Sequence, residues 1–162
     1  MIYSTIDRFG DALAALGAET AFRYVSREMV DVIHDEMIAQ YGGLPGLRDA
    51  NMLESALARP VNMAAYEKTD NAYDMAFRLA ATLCGGIARN HPFIDGNKRT
   101  AFVAMNVFFG MNGLHFQCDN AEILDMMMSF ASGAIEESQF ASWLKRHTAQ
   151  VEQPEDTQGF TP

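Results

Sequence analysis

The stretch His91 to Thr100 reads HPFIDGNKRT, and its residue types at this spacing suit the handling of phosphate groups. His91, with an ordinary pKa of about 6.5, can take a proton from an attacking hydroxyl. Asp95 offers the hard oxygens that Mg²⁺ prefers, and a magnesium ion is commonly shared with phosphates. Gly96 permits a positive φ or close backbone approach, and Asn97 can orient a neighbouring loop group or a ligand. Lys98 and Arg99 enter the first turn of a following helix, where the dipole slightly disfavours cations. Their position makes sense if they face a polyphosphate, to which Arg forks and Lys adds a point charge. Phe93 is the anchor of the loop. The segment is not a Walker A loop, because G-x-x-x-x-G-K-[ST] is absent, and it lacks the H-E-x-x-H of a zinc protease.

Such a loop needs rigid supports, and the flanking sequence supplies helices. A long apolar helix is expected from about Ala72 to Ala88, with Met75, Leu79, Leu83 and Ile87 on one stripe. Helix resumes from Asn97 to Met111, and Asn112-Gly113 closes it. The loop therefore sits at a helix N-terminus, where free N–H groups favour an anion. Upstream, Ser26 caps a helix carrying Met29, Val30, Ile33, Met37 and Ile38, which Gly42 and Gly43 stop. Asp49 caps a short helix expected to end at Arg59-Pro60. Downstream, Asp119 and Glu122 resemble a capping box opening a helix to about Ala131, and a last helix spans about Glu137 to His147. The short LHFQC at 114–118 can make at most a hairpin. The fold class is all-α, a compact bundle with the loop at the N-terminus of a central helix.

Composition narrows the function. The chain has 162 residues, 49% of them hydrophobic, which fits one folded domain with a substantial core. The net charge of -9 argues against direct binding to nucleic acid or to an acidic membrane. Against that background Arg89, Lys98 and Arg99, three of twelve Lys and Arg residues, make a local cationic spot for a small anion. No run of 18 uncharged apolar residues occurs, and the N-terminus does not read as a secretory signal. Cys84 and Cys118 lack paired spacing, so they are expected to be buried thiols of a reducing cytoplasm and not a disulfide or a zinc site. His34 is expected to be structural, and His115 and His147 carry no signal. Met126, Met127 and Met128 read as flexible core filler or, secondarily, a partner surface. Gly42 to Asp49 reads either as a flap that docks a target or as a plain interhelical loop. The expected organisation is an N-terminal helical extension over 1–25, with an amphipathic helix near Thr5 to Leu16, a main domain over 26–148, and a flexible acidic tail over 149–162.

HPFIDGNKRT resembles the signature of the Fic/Doc superfamily, H-x-F-x-[DE]-[GA]-N-x-R. Lys98, where Fic adenylyltransferases carry a second Gly, resembles the death-on-curing (Doc) branch, as do GLRD at 46–49, LESALARP at 53–60 and MNG at 111–113. The likeness covers roughly residues 26–147. It implies a toxin of a toxin–antitoxin pair, using ATP and Mg²⁺ to transfer the γ-phosphate to a hydroxyl of elongation factor Tu. It also implies roles: His91 as general base, Asp95 as Mg²⁺ ligand, and Gly96, Asn97, Lys98 and Arg99 as the phosphate cradle. Arg89 is implied to help hold the nucleotide. A Fic-type nucleotidyl transfer to a protein hydroxyl is the alternative, and a non-catalytic nucleotide- or antitoxin-binding module a second one. The superfamily's inhibitory pattern [ST]-x-x-x-E-[GN] is not met, since Glu137 follows Ser132 and Glu136. Control by a cognate antitoxin in trans is therefore expected.

Overall fold

The computed structural model describes residues 22–150. The expected helix near Thr5 to Leu16 and the tail beyond Gln150 lie outside these residues. Six helices follow in order: α1 (Arg27–Tyr41), α2 (Ala50–Tyr66), α3 (Ala72–Asn90), α4 (Asn97–Met111), α5 (Asn120–Ala131) and α6 (Glu137–Arg146). Two short strands, β1 (Leu114–Phe116) and β2 (Thr148–Gln150), complete the all-α bundle. None of the described helices is long and apolar enough to cross a membrane.

α3 is the axis of the bundle. It packs against α2, α4 and α6, so it is buried on nearly every side from Tyr73 to Ala88. The expected stripe of Met75, Leu79, Leu83 and Ile87 is buried, and so are Ala76, Ala80 and Cys84 on other faces. An all-round apolar helix is what a central position demands. Its closest neighbour is α2. A β-carbon on Gly86 would stand 2.8 Å from Ala56 Cβ and 3.0 Å from Ala56 Cα, so only glycine lets the two backbones approach this far.

α2 does not stop at Arg59-Pro60 but runs through Pro60 to Tyr66. A proline inside a helix costs about 3 kcal/mol in lost bonding and steric conflict. Here Pro60 is itself buried, and Met63 and Ala64 beyond it pack on the core, so tertiary burial offsets the local preference. Asp49 does cap α2, its carboxylate accepting from Asn51 N at 2.9 Å and Met52 N at 3.1 Å.

Three details differ from expectation, the first two because their partners are distant in sequence. β1 pairs antiparallel with β2, across α5 and α6, with His115 opposite Ala149; it is not part of a hairpin. Ala149 and Gln150 thus belong to the sheet and not to a loose tail. Phe22, Tyr24 and Val25 pack on the core, and Asn112 clasps the backbone of Arg23 by accepting from its N and donating to its O, both at 2.9 Å. At α5, Asp119 accepts from Ala121 N at 2.8 Å, but Glu122 turns away to the Trp143 indole. The reciprocal cap appears at α6 instead, where Gln139 accepts from Glu136 N at 2.9 Å.

Candidate active site

α3 ends at Asn90, and the chain turns at His91 with φ 50 and ψ 59. Among the described residues His91 is the one non-glycine with positive φ. Such a conformation costs on the order of 1 kcal/mol and persists only where the surroundings impose it. Arg48 imposes it here. Its guanidinium donates from Nε to the His91 carbonyl and from Nη2 to the Asn90 carbonyl, each at 2.7 Å. The backbone joins in: Arg48 N and Asp49 N donate to Pro92 O at 2.7 and 2.9 Å, and Ile94 N donates to Gly46 O at 3.0 Å. The GLRD turn is therefore bonded to the loop through a bridge pairing Leu47 with Phe93.

The interior of the loop is held as firmly. The buried Asn97 side chain spans it, accepting from Phe93 N and donating to Phe93 O, both at 2.9 Å. Phe93 stacks on the buried His34 with ring centroids 3.9 Å apart and planes at 7°. His34 Nε2 lies 2.9 Å from Asp95 O; a carbonyl can only accept, so Nε2 carries the proton. His34 is structural, as its apolar neighbours suggest, but what it supports is the candidate active loop.

Asp95 is half-exposed. Its carboxylate accepts from Gly96 N at 2.7 Å and Leu44 N at 3.2 Å. Those two N–H groups, with the Arg99 charge adding to them, hold its carboxyl below the usual carboxylate range. The close fit explains Gly43, where a β-carbon would stand 2.6 Å from Asp95 Oδ2. Gly96 is the N-cap of α4 and has no side chain to satisfy the helix's first-turn N–H groups.

The cations divide. Lys98 is exposed, and no hydrogen bond or ion pair engages its amine among the described residues. Arg99 donates to Met37 O at 3.2 Å and Gly42 O at 3.0 Å, closing the C-terminus of α1 against the loop. Arg89 is not brought to the site. It donates to Phe130 O at 2.9 Å and Ile135 O at 2.7 Å, with its guanidinium 4.2 Å from the Phe130 ring centroid. The remaining candidates converge: His91, Asp95, Gly96, Asn97, Lys98 and Arg99, joined by Ile94, line one open cleft of about 250 Å³.

A larger groove of about 450 Å³ lies between α3 and α6 and holds none of these residues. Its charged side chains are all in ion pairs: Lys145 with Asp74, Glu137 with Arg59 and Arg78 with Glu67.

Sequence reading alone missed His34, Arg48 and Gly43 as supports. The close run of glycines and the Arg-Asp pair in GGLPGLRD was the available signal. Arg48→Ala is expected to release the His91 carbonyl while leaving the cleft's charges in place. Turnover should fall by up to about 10²-fold with nucleotide affinity little changed, the pattern of a misplaced group. Single-turnover kinetics beside equilibrium nucleotide binding would check this; a loss of affinity without a loss of rate would refute it.

Known proteins are similar to this chain in sequence. The model of the Fic/DOC family matches residues 24–109, which includes α1 to α3, the whole loop and α4 as far as Phe109. "Protein kinase doc" of Escherichia phage P1 is 36% identical over 76% of this chain and 94% of its own length. "Toxin Doc" of Mycolicibacterium smegmatis is 40% identical over 67% of this chain and 81% of its own. A family match over more than half of the chain, joined to two relatives that it nearly spans, establishes that this chain belongs to the Fic/Doc family.

Proposed function

We propose that this protein is a Doc-like toxin that transfers the γ-phosphate of ATP to a hydroxyl of a protein target, elongation factor Tu. The observation that carries the reading is the meeting of three features in one cleft: an exposed His91, an anionic Asp95, and an uncapped helix N-terminus beside the free Lys98 amine.

These residues fit Mg·ATP. The first-turn N–H groups of α4 lack a side-chain acceptor, and phosphate oxygens are suitable ones. Asp95 stays ionised and keeps lone pairs beyond its two N–H bonds, which suits a hard cation. Magnesium bound there would neutralise charge on the phosphates. Lys98 adds a cation at the cleft. His91 accepts the proton of the attacking hydroxyl as the new O–P bond forms and the bond to the ADP leaving group breaks. Arg48 and Asn97 keep the base and the loop in place, and Arg99 ties α1 to them.

A protein as target suits the rim of the cleft. Tyr41, Leu44 and Ile94 are large, exposed and apolar, and they belong to the segments that hold Asp95 and Arg99. Such a rim favours a protein surface over a small polar acceptor. The same rim suits an antitoxin acting in trans, a segment that folds as a helix on binding. The proposed working place is the cytoplasm, where ATP and Mg²⁺ are available.

Nucleotidyl transfer would use the same residues with a different phosphate over the N-terminus of α4. Lys98 separates the two readings, since its side chain occupies space that glycine would leave open. Lys98→Gly is expected to lower γ-phosphoryl transfer and to raise the share of α-phosphoryl product. Chromatography of products from doubly labelled ATP would show it. Identical product ratios for the parent and the variant would remove Lys98 from that role.

A further inference from the structure

At the end of α4 remote from the loop, three side chains of different chemistry converge. Cys118 follows β1, Glu122 lies in the first turn of α5, and His147 caps the C-terminus of α6. The Cys118 sulfur, a Glu122 oxygen and a His147 ring nitrogen all lie within 4.8 Å of one another. His147 Nε2 is 3.1 Å from Glu122 Oε1. We propose that Cys118, Glu122 and His147 form a binding site for one thiophilic divalent cation of the zinc class.

The geometry is near what such an ion needs. With bonds of about 2.0–2.3 Å, tetrahedral ligands stand about 3.3–3.7 Å apart, so small rotamer adjustments close the set. Sulfur, nitrogen and a single carboxylate oxygen form a donor set that favours zinc-like ions and disfavours magnesium or calcium. The fourth position falls to solvent on the exposed Glu122 side. Coordination displaces the Cys118 proton to water, because the thiolate is the ligand.

The surroundings orient the donors. The Trp143 indole N–H donates to Glu122 Oε1 at 2.7 Å, the kind of outer contact that fixes a ligating carboxylate. The rings of Phe116 and Trp143 flank the His147 imidazole, with centroids 6.3 and 5.5 Å away. Gln117 N donates to His147 O at 2.9 Å, which holds the histidine beside the segment that carries Cys118. An ion here would bind β1, α5 and the α6–β2 junction together. The 15 residues of α4 rise about 22 Å, so this site is separate from Asp95. The isolated cysteines of the sequence do not announce it, since the partners lie 4 and 29 residues along the chain.

The test uses the full-length, chelator-treated protein and Co²⁺ as a spectroscopic probe, with Mg²⁺ in excess. One Co²⁺ per chain with thiolate-to-metal charge-transfer absorption is expected. Cys118→Ser should abolish the absorption, and His147→Ala should weaken binding by more than the 10–100-fold typical of losing an outer contact. Circular dichroism should show both variants folded. His91→Ala should keep the full signal. In the parent alone, Zn²⁺ should protect Cys118 from a thiol reagent. Absence of charge-transfer absorption in the parent, or its survival in Cys118→Ser, would overturn the proposal.

Discussion

His91→Ala should lower the rate of transfer by about 10²–10⁴-fold, the range for loss of a positioned general base. That corresponds to about 3–5 kcal/mol of transition-state stabilisation. Three features make the substitution a clean probe. The imidazole is exposed, so removing it leaves no core cavity. The residue is held by its carbonyl through Arg48, which Ala retains. Its positive φ disfavours any β-carbon, so Ala inherits the backbone cost that His91 bears and the comparison isolates the ring. Nucleotide affinity should stay near the parental value, because the proposed phosphate contacts belong to α4, Asp95 and Lys98. Single-turnover measurement at saturating Mg·ATP would register the loss. A variant transferring at near-parental rate would take the base role away from His91.

Arg89→Ala should destabilise the fold by about 2–4 kcal/mol, given that a hydrogen bond from a charged group contributes about 1.5–3 kcal/mol. The sequence places this cation two residues from His91; the family resemblance implies a role in holding nucleotide, and a solvated helix face is the equal alternative. Its guanidinium points the other way, bonding the carbonyls of Phe130 and Ile135 between α5 and α6. It also covers Phe130, which stacks on Phe140 with centroids 4.0 Å apart. Truncation strands two carbonyls and uncovers that ring pair. At about 2–4 °C per kcal/mol for a chain of this size, the unfolding midpoint should drop by roughly 10 °C. Arg89→Lys should recover only part of this, since an ammonium cannot fork to both carbonyls. Calorimetry paired with nucleotide titration decides the matter. An unchanged midpoint with weakened nucleotide binding would return Arg89 to the phosphate site.

What the sequence discloses here is what neighbouring residues decide together. The span of α4 from Asn97 to Met111 is legible because a glycine precedes it and Asn112-Gly113 follows it. The loop is legible because His91, Asp95, Gly96 and Lys98 fall within eight positions and share one cleft. Features set by distant partners are not. Pro60 signals a helix end locally, but α2 continues because Pro60 is buried and Met63 and Ala64 beyond it pack on the core. β1 shows no partner within reach, as β2 lies beyond two helices. The direction of Arg89 depends on which carbonyls α5 and its following loop present. His34 and Arg48 act on the loop from 61 and 43 residues away, so their importance emerges only once the chain is folded.

The proposed activity is phosphoryl transfer from ATP at the His91 cleft. Its most direct test incubates the purified protein and its His91→Ala variant with Mg²⁺, a bacterial cytoplasmic extract, and ATP labelled in parallel at the α- or γ-phosphate. A protein band labelled from γ alone, present with the parent and absent with the variant, is the expected result, and the mass of that band should match elongation factor Tu. A His91-dependent band labelled from the α-phosphate would contradict the kinase reading and establish nucleotidyl transfer in its place.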